Sequence, residues 1–433
     1  MSDSRFFPLM EELFPEDTPE EGSPTTRPPT VNGRDGNGHR QNGPTGDDRR
    51  EEGRPSGAFQ RRKENLEAAP APLQEAARGQ TVLLTGAGGT IGEALARRLC
   101  RLPLQRLLLL DTSEHGLVRL KDQIDRQDLP SAGPDLQVDC LLKDLRRASD
   151  RKQSLRENPS IVIHAAAYKH VPFLESRPIV AAENNLLATV DWLRACGHAR
   201  PVEKFVFVST DKAIRPSSVM GETKAGAEKA LRLFRGQIRQ DETEPGSGPR
   251  MKATTVRLCN VFGSRGSVVP RFWRRLQEGR PLPVTHPEMK RRFISPNGAA
   301  EAILQALRHE AGTYVPTAGR ELNIYQLALR MVKWALGDEK AEESDPTSWI
   351  RYTGRRRGER LHERLLAPEE SPGTDMGDGL CRVGQRPPGR AWKELLQRLD
   401  TLRSACLAGE KEEARVRLRQ IVRTAAESEK PAA

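Results

Sequence analysis

The stretch TVLLTGAGGTIGEALARRLC (Thr81–Cys100) combines a short apolar strand, a glycine-rich turn and an amphipathic helix. Glycines in such a turn let the chain bend sharply and bring backbone N–H groups against a pyrophosphate at the helix N-terminus, where the helix dipole favours negative charge. The stretch therefore predicts the first βα unit of a dinucleotide-binding fold. The residues expected to contact the dinucleotide are Gly86, Gly88, Gly89, Thr90, Ile91 and Gly92.

Three further apolar strands are predicted, at Arg106–Leu110, Leu136–Leu142 and Ser160–His164. Asp111 ends the first of them, at the spacing from the glycines where a carboxylate meets the adenosine ribose. A carboxylate there repels a 2′-phosphate, so Asp111 favours NAD over NADP, which is kept as the alternative. After the other two strands come an expected adenine contact and three small residues that would let the cofactor lie close to the strand end: Asp144, Ala165, Ala166 and Ala167.

Strands and helices that alternate in this way predict an α/β fold with a doubly wound, Rossmann-type parallel sheet and a ligand at the carboxyl edge of its strands. We predict four parts along the chain. These are a disordered N-terminal tail (1–78), an NAD(P)-binding Rossmann domain (79–255), a small substrate-binding region interleaved with the sheet (256–390) and a C-terminal helical segment (391–433).

The composition supports an unfolded portion, since only 36% of residues are hydrophobic and the mean hydropathy is -0.65. Residues 16–78 are rich in Pro, Gly and charged residues and cannot bury enough apolar surface to offset the entropy of ordering. Ahead of them lies an apolar cluster among acidic residues, which is either a short docking motif for a partner or a solvated chain end. It consists of Phe6, Phe7, Leu9, Met10, Leu13 and Phe14.

The net charge of +11 and the pI near 9.5 raise the question of nucleic-acid binding. Arginines are spread along the whole chain without a basic block interleaved with aromatic residues, so we expect no nucleic-acid partner. No apolar run approaches the roughly 18 to 20 residues that cross a bilayer, and no signal arrangement opens the chain. A cytoplasmic protein without a transmembrane segment is expected. The six cysteines have no Cys-x-x-Cys spacing, so neither a metal site nor a disulfide framework is predicted.

The segment FVFVSTDKAIRPSSVMGETK (Phe205–Lys224) resembles the active-site segment of the extended short-chain dehydrogenase/reductase (SDR) superfamily. An apolar strand runs into Ser209, which is expected at the cofactor, and then into Thr210, Asp211 and Lys212. Met220 stands four positions before Lys224, where the superfamily carries the tyrosine of a Tyr-x-x-x-Lys pair. Because methionine cannot ionise, the acid and base groups must lie elsewhere.

Longer matches resemble one family, the CapD-like polysaccharide-biosynthesis group of UDP-N-acetylglucosamine 4,6-dehydratases. The matching segments are HAAAYKHVPFLE (164–175), STDKA and VMGETK (209–224), VRLCNVFGSRGSVVPRF (256–272), VTHPEMKR (284–291) and GRRRGERLHERLL (354–366), with a helical pair near 392–423. The resemblance implies that a tightly bound NAD takes hydride from C4 of a UDP-sugar, that water is lost across C5 and C6, and that the hydride returns to C6. It also implies a homo-oligomer and, from the methionine, retained configuration at C5.

By the same resemblance, Asp211 would be the general acid and Lys212 the C5 base, or the two would form a structural ion pair. Lys224 would reach the nicotinamide ribose. The C4 hydroxyl proton would go to Thr210 backed by Lys224, to Lys212, or to a water. Asn185 matches the superfamily asparagine that holds such a water, or it is a structural residue in a kinked helix.

Substrate contacts are expected at Lys169, His170, Asn260, Ser267, Val268, Arg291, Arg356 and Glu359. Arg291 and Arg356 would clamp the UDP phosphates. The family usually has Arg-Pro-Gly-Glu-Lys where this chain has RRGER (356–360), and the extra charge could alter sugar selectivity.

Two other readings remain. A UDP-sugar 4-epimerase shares the fold, cofactor and substrate class but relies on the missing tyrosine. A non-catalytic dinucleotide-binding scaffold or sensor would explain loss of the tyrosine, but not the presence of Asp211, Lys212 and Lys224.

Overall fold

The computed structural model describes residues 70–126, 136–199, 201–241, 251–336, 345–356, 358–385 and 391–423. In this part of the chain, strands and helices alternate as the sequence predicts. The strands are β1 Thr81–Thr85, β2 Arg106–Asp111, β3 Gln137–Leu142, β4 Ile161–His164, β5 Lys204–Thr210, β6 Lys252–Leu258, β7 Asn260–Val261, β8 Leu282–Val284, β9 Lys290–Ile294, β10 Thr313–Pro316, β11 Arg320–Asn323, β12 Ile350–Tyr352 and β13 Leu380–Arg382.

The α-helices, numbered in chain order, are α1 Ala71–Ala77, α2 Thr90–Leu99, α3 Glu114–Asp125, α4 Ala148–Leu155, α5 Val171–Glu175, α6 Pro178–Ala181, α7 Ala188–His198, α8 Val219–Asp241, α9 Val268–Gln277, α10 Pro296–Gln305, α11 Ile324–Leu336, α12 Trp392–Leu407 and α13 Lys411–Val422. A π-helical turn, Ala182–Leu187, joins α6 to α7, and a 3₁₀ turn, Asp211–Ala213, follows β5. The helical pair predicted near 392–423 is present as α12 and α13.

The main sheet has the strand order β13-β10-β6-β5-β4-β1-β2-β3, and all pairs are parallel except the edge pair β10 and β13. Strand order reverses between β1 and β4, which makes their carboxyl ends the topological switch point where such sheets bind ligands. The predicted doubly wound, Rossmann-type fold is confirmed.

Alternate side chains of the strands pack into two hydrophobic cores, one on each face of the sheet. Leu84, Leu109 and Ile163 pack with α2 and α10 on one face, whereas Leu83, Val162 and Phe207 pack with α7, α8, α12 and α13 on the other. Helices on both faces require strands that are apolar on both sides. The carboxyl edge is therefore left as the place for a polar site.

The region after β6 builds two small sheets, β11-β9-β7 and β12-β8, and returns β10 and β13 to the main sheet. Arg257 of β6 ties this region to the core, because its guanidinium forms ion pairs with Glu228 of α8 and with Glu370 at 2.6 Å each. All three side chains are at most 11% exposed. Burial alone would lower the pKa of Arg257, but these two carboxylates outweigh it and raise the pKa above its usual range.

The predicted end of the tail is wrong, since residues 71–77 form α1. Leu73 and Ala77 are each 1% exposed and belong to the core. The short segment APLQEAA has enough helix-forming apolar residues to pack once a surface is present. The rest of the predicted tail and the apolar cluster at Phe6–Phe14 lie outside the described residues.

The predicted domain boundary at Val256 falls inside β6. Among the described residues, no helix is both long and apolar enough to span a membrane.

Candidate active site

The carboxyl ends of β1, β2, β4 and β5 lie side by side, because these strands pair in parallel register. The residues that follow each strand therefore meet at one edge. They are the glycine turn after β1, Asp111 at the end of β2, the three alanines after β4, and the Asp211 segment after β5.

The glycine turn has the tight geometry that the sequence predicts. Gly86 has φ +73° and donates its N–H to the Leu110 carbonyl at 2.8 Å. A Cβ on Gly86 would lie 2.7 Å from the backbone nitrogen of Ala166, and one on Gly92 would lie 2.1 Å from the carbonyl oxygen of Gly86. The turn therefore packs directly on the alanines after β4, and only glycine fits at these two positions.

The turn leads into α2, whose first residues are Thr90, Ile91 and Gly92. The first N–H groups of a helix have no partner within it and attract anions. Asp111 lies beside the turn, since its carboxylate accepts a hydrogen bond from the N–H of Gly88 at 2.8 Å and another from Ser113 at 2.9 Å. Asp144 is held by Arg146, which lowers the pKa of this carboxyl group. These residues fit a dinucleotide with its diphosphate at α2 and its ribose near Asp111.

Asp211 and Lys212 form a close ion pair at the end of β5. The Lys212 amine lies 2.9 Å from Oδ1 of Asp211 and also donates to Oδ1 of Asn260 at 3.0 Å. The Thr210 hydroxyl donates to the same Asp211 oxygen at 2.9 Å. Asn260, predicted as a substrate contact, is thus placed on Lys212, and its amide nitrogen is bound to the Arg292 carbonyl.

Three buried polar atoms near this edge have no hydrogen-bond partner in the described part of the chain: Oδ2 of Asp211 and the hydroxyl oxygens of Ser209 and Ser267. Such orphaned groups are costly unless a ligand completes them. Asp211 is only 2% exposed, so its second oxygen is the most conspicuous of the three. This oxygen is therefore able to bind a polar ligand at the end of β5.

Lys224 and Met220 lie on α8 below the pair, and both are buried. The Lys224 amine donates to the Val208 carbonyl at 2.8 Å and lies 4.4 Å from the centre of the Phe207 ring. Burial lowers the pKa of Lys224 from 10.5 to about 7, against the opposing influence of Glu228. Met220 belongs to the apolar core, so the missing phenol is replaced by packing and not by another titratable group.

We expect the Lys224→Met variant to lose part of the rise of stability with pH. The folded protein disfavours the charged amine, so Lys224 destabilises it most below pH 7, and the penalty disappears as the pH rises toward 10.5. Between these values the wild type should gain up to about 1.4 kcal/mol of unfolding free energy per pH unit from this group. Urea denaturation at several pH values measures the slope. The exposed Lys252→Met variant is the control, and equal slopes in all three proteins would refute the expectation.

Asn185 was predicted either to hold a water or to be a structural residue. Asn185 lies in the π-helical turn, and its side-chain oxygen accepts from Tyr168 N–H and Asn184 while its nitrogen donates to the Tyr168 carbonyl and Thr223. All four hydrogen-bonding positions of the amide are used within the chain. The geometry therefore favours the structural interpretation of Asn185 over a side chain that holds a water.

His164 at the end of β4 was not assigned a role from the sequence. Its ring nitrogens bridge the hydroxyls of Thr85 at 2.8 Å and Thr189 at 3.0 Å. Burial and then the neighbouring Lys224 lower the pKa of His164 to about 3, so the ring stays neutral. The sequence does contain a sign of this buried role, because His164 is a polar residue at the end of an apolar strand.

The clamp of Arg291 and Arg356 stays a prediction, and the two arginines differ in their surroundings. The Arg291 guanidinium is committed to the carbonyls of Lys290 and Leu361 and lies 3.8 Å from Glu363. Arg291 therefore joins β9 to the loop that contains Leu361. A sequence motif does not show a contact between segments so far apart in the chain. Arg356, in contrast, is exposed, and Glu359 accepts a hydrogen bond from its backbone N–H at 3.1 Å.

Arg271 of α9 is an arginine to which the sequence analysis assigned no role. Burial and then the positive charge of Arg356 lower the pKa of Arg271, and Arg271 contributes, after burial and Lys169, to a lowered pKa of His170. Arg271 lies one helical turn beyond Ser267, the N-cap of α9, so a helical reading of this segment would have found it. Val268 is the first residue of the same helix.

The loop that carries Arg356 and Glu359 is bound to the segment after β5. Ser217 donates to the Gly358 carbonyl at 3.0 Å, and Arg360 donates to the Ile214 carbonyl at 2.9 Å. On the other side, the His170 ring lies over Gly266, where a Cβ would be 2.6 Å from the ring, and Lys169 precedes it on the exposed loop after β4. Burial, Lys169 and Arg271 lower the pKa of His170, and Arg356 lies on the loop that is bound to the segment after β5.

The chain is similar to known proteins over the same region. The model of the polysaccharide biosynthesis protein family matches residues 82–383. The capsular polysaccharide biosynthesis protein CapD of Staphylococcus aureus is 33% identical over 294 residues, which cover 67% of this chain and 46% of that protein. The chain thus spans about half the length of this relative.

The chain is also similar to an epimerase in sequence and to a solved structure in fold. The UDP-glucose 4-epimerase of Rickettsia massiliae is 29% identical over 68% of this chain and 80% of that protein. The X-ray structure of Pen from Bacillus thuringiensis is 26% identical with a TM-score of 0.60, and the similarity covers 72% of this chain and 89% of that one. With the fold, the glycine turn and the Asp211 segment, these matches place the chain in the polysaccharide biosynthesis protein family of the extended SDR superfamily.

Proposed function

We propose that the chain is an NAD(P)-dependent nucleotide-sugar 4,6-dehydratase, with UDP-N-acetylglucosamine as its substrate and retained configuration at C5. Family membership supports the coarser part of this proposal, a nucleotide-sugar enzyme of polysaccharide biosynthesis. The observation that carries the finer part is the Asp211–Lys212 pair, in which one carboxylate oxygen has no partner in the described residues.

A dinucleotide held at the glycine turn and Asp111 would supply the reversible hydride transfer that oxidises C4 of the sugar and later reduces C6. The resulting ketone at C4 makes the C5 proton acidic enough for a side-chain base. A proton shift over the 2.9 Å contact from Lys212 to Asp211 would convert the ion pair into a neutral amine and a neutral carboxylic acid. These are the base for C5 and the acid for the departing C6 hydroxide.

The pair also resets itself. Lys212 gains the C5 proton and becomes an ammonium, while Asp211 gives its proton to the leaving hydroxide and becomes a carboxylate. One molecule of water leaves. When hydride returns to C6, Lys212 gives the proton back to C5 on the same face, and the proton released earlier from the C4 hydroxyl recharges the Lys212 amine. The original ion pair is thus restored without an external proton donor. Asn260 holds the Lys212 amine in place during this exchange, because its side-chain oxygen lies 3.0 Å away.

Lys169, Arg271 and Arg356 would together bind the diphosphate of the substrate. Arg271 and Arg356 present guanidinium groups that repel each other, so an anion between them relieves the repulsion. The orphaned Ser267 hydroxyl lies at the N-terminus of the same helix, α9, and would add a hydrogen bond. Arg271 thus takes the place that the sequence assigned to Arg291.

We expect the Arg271→Ala variant to raise KM for the UDP-sugar about 10- to 100-fold with little change in kcat, because a contact to a remote phosphate stabilises ground and transition states alike. Steady-state kinetics measure both constants. Arg274→Ala on the same helix is the matched control, since the Arg274 side chain is 71% exposed. An unchanged KM in Arg271→Ala would contradict this assignment.

A UDP-sugar 4-epimerase is the second candidate, supported by the similarity to the Rickettsia massiliae protein. Epimerisation needs reversible oxidation at C4 but no acid for a C6 hydroxide. Met220 and the Asp211–Lys212 pair therefore favour dehydration.

One incubation separates the candidates. Purified full-length protein is mixed with UDP-N-acetylglucosamine and NAD, and the sugar is analysed by mass spectrometry and proton NMR. Loss of one water supports the dehydratase, and the NMR couplings report the configuration at C5. An unchanged mass with a new hexose favours the epimerase, and an unchanged sugar favours a non-catalytic scaffold.

A further inference from the structure

Arg265 connects the loop before α9 to the glycine turn after β1. It lies in the bridging loop, residues 263–267, which runs from β7 to the start of α9. Its guanidinium donates to the Gly88 carbonyl at 2.6 Å and to Glu93 at 2.9 Å, and its backbone N–H donates to the Thr90 hydroxyl at 3.2 Å. The loop thus reaches across to the glycine turn and the first turn of α2.

The bridging loop is shaped to lie in this position. Gly263 and Gly266 have φ +63° and +71°, and Ser267 donates its N–H back to the Ser264 carbonyl at 2.9 Å. The His170 ring packs over Gly266. These contacts define one conformation of the loop, in which Arg265 faces α2.

The charge around Glu93 exceeds what a structural ion pair requires. Arg119 binds both carboxylate oxygens of Glu93 at 3.0 and 2.7 Å, Arg97 lies 3.6 Å away, and Arg265 is the third guanidinium. Asp111 is the other carboxylate at the turn. Three guanidinium groups against two carboxylates leave positive charge at the N-terminus of α2, which already favours an anion.

We propose that Arg265 is a cofactor-retaining residue, which closes the bridging loop over the diphosphate of the bound dinucleotide. The inference rests on dinucleotide binding at the glycine turn and not on the reaction that the cofactor serves. Retention is useful to an enzyme that returns the hydride to its own product, because the cofactor does not need to leave between turnovers.

The size of the effect follows from the exposure of Arg265, whose side chain is 52% exposed. Contacts of exposed charges contribute about 1 kcal/mol or less, so the fold does not depend on them. The Arg265→Ala variant should therefore remain folded and release the cofactor roughly tenfold faster. Arg265→Lys keeps the charge but cannot span Gly88 and Glu93 with one fork, so its rate should be intermediate.

The experiment uses the full-length protein loaded with NADH and chased with excess NAD⁺, and the loss of bound NADH fluorescence gives the dissociation rate. Arg119→Ala is the matched control, because it removes the bidentate partner of Glu93, and Arg119 has no hydrogen bond to Gly88 or Thr90 among the described residues. Faster release from Arg265→Ala alone supports the proposal. An unchanged rate in Arg265→Ala overturns it, and so does equally fast release from Arg119→Ala. Thermal unfolding of each variant checks that the fold is kept.

Failure of this test is distinguishable from failure of the proposed reaction. The release assay needs no sugar nucleotide, so its result stands even if the protein does not dehydrate UDP-N-acetylglucosamine. Conversely, a dehydratase that releases NADH from Arg265→Ala at the wild-type rate would contradict only the role of Arg265.

Discussion

The Asp211→Asn variant should dehydrate the UDP-sugar about 100- to 10,000-fold more slowly than the wild type, the range typical of a lost general acid. Asparagine has almost the same shape as aspartate, and its oxygen can still accept from Lys212 and Thr210 at the present 2.9 Å contacts. It cannot take a proton from Lys212, so neither the neutral base nor the acid forms. Turnover followed by mass spectrometry gives the rate.

A variant with a structural defect would lose more than turnover. For Asp211→Asn we expect cofactor binding and thermal stability close to the wild type. Asp191→Asn is the matched control, since Asp191 is also an ion-paired carboxylate, with Arg151 and Arg403, but on α7 away from the site. Wild-type turnover in Asp211→Asn would mean that the pair is structural, the alternative that the sequence left open.

The sequence was sufficient where local rules decide the structure. Short-range constraints decide the apolar runs of β1 to β5, the glycines after β1 and the acidic end of β2. The glycines and the acidic residue meet at one edge because the strands pair in parallel. The predicted sheet was therefore confirmed, and its site residues could be placed by strand order alone.

The sequence failed where a contact joins distant segments. Arg291 and Arg271 are both arginines in motif-bearing segments. Only the fold reveals that the Arg291 guanidinium is bound to the Leu361 carbonyl, whereas burial and then Arg356 lower the pKa of Arg271. Arg265 is similar, because its partners Gly88 and Glu93 lie more than 170 residues away along the chain. Guanidinium groups are long and flexible, so their partners depend on tertiary structure.

Burial explains the remaining differences. The segment of α1 is short and follows a polar stretch, which predicts a tail, yet Leu73 is buried and belongs to the hydrophobic core. The amide of Asn185 looked available because a sequence does not show that its four hydrogen-bonding positions are already used. In both cases tertiary packing overrides what the local pattern suggests.

The Gly86→Ala variant should lose about 2–5 kcal/mol of unfolding free energy and most of its cofactor affinity. A non-glycine residue at φ +73° costs about 1–2 kcal/mol. The added Cβ would also lie 2.7 Å from N and 2.8 Å from Cα of Ala166, which are backbone atoms that cannot rotate away. Overpacking of this kind adds about 1–3 kcal/mol. Urea denaturation and NADH titration measure the two losses.

Gly79→Ala separates the two causes. Gly79 has φ +69°, nearly the same backbone strain, but a Cβ there would meet nothing within 4 Å. It should therefore lose only about 1–2 kcal/mol and bind NADH as the wild type does. Relief of the Gly86 clash requires the glycine turn and the alanines after β4 to move apart, which distorts the turn that would hold the cofactor. If both variants lost the same stability and bound NADH equally, contact between the turn and Ala166 would not be what shapes the cofactor site.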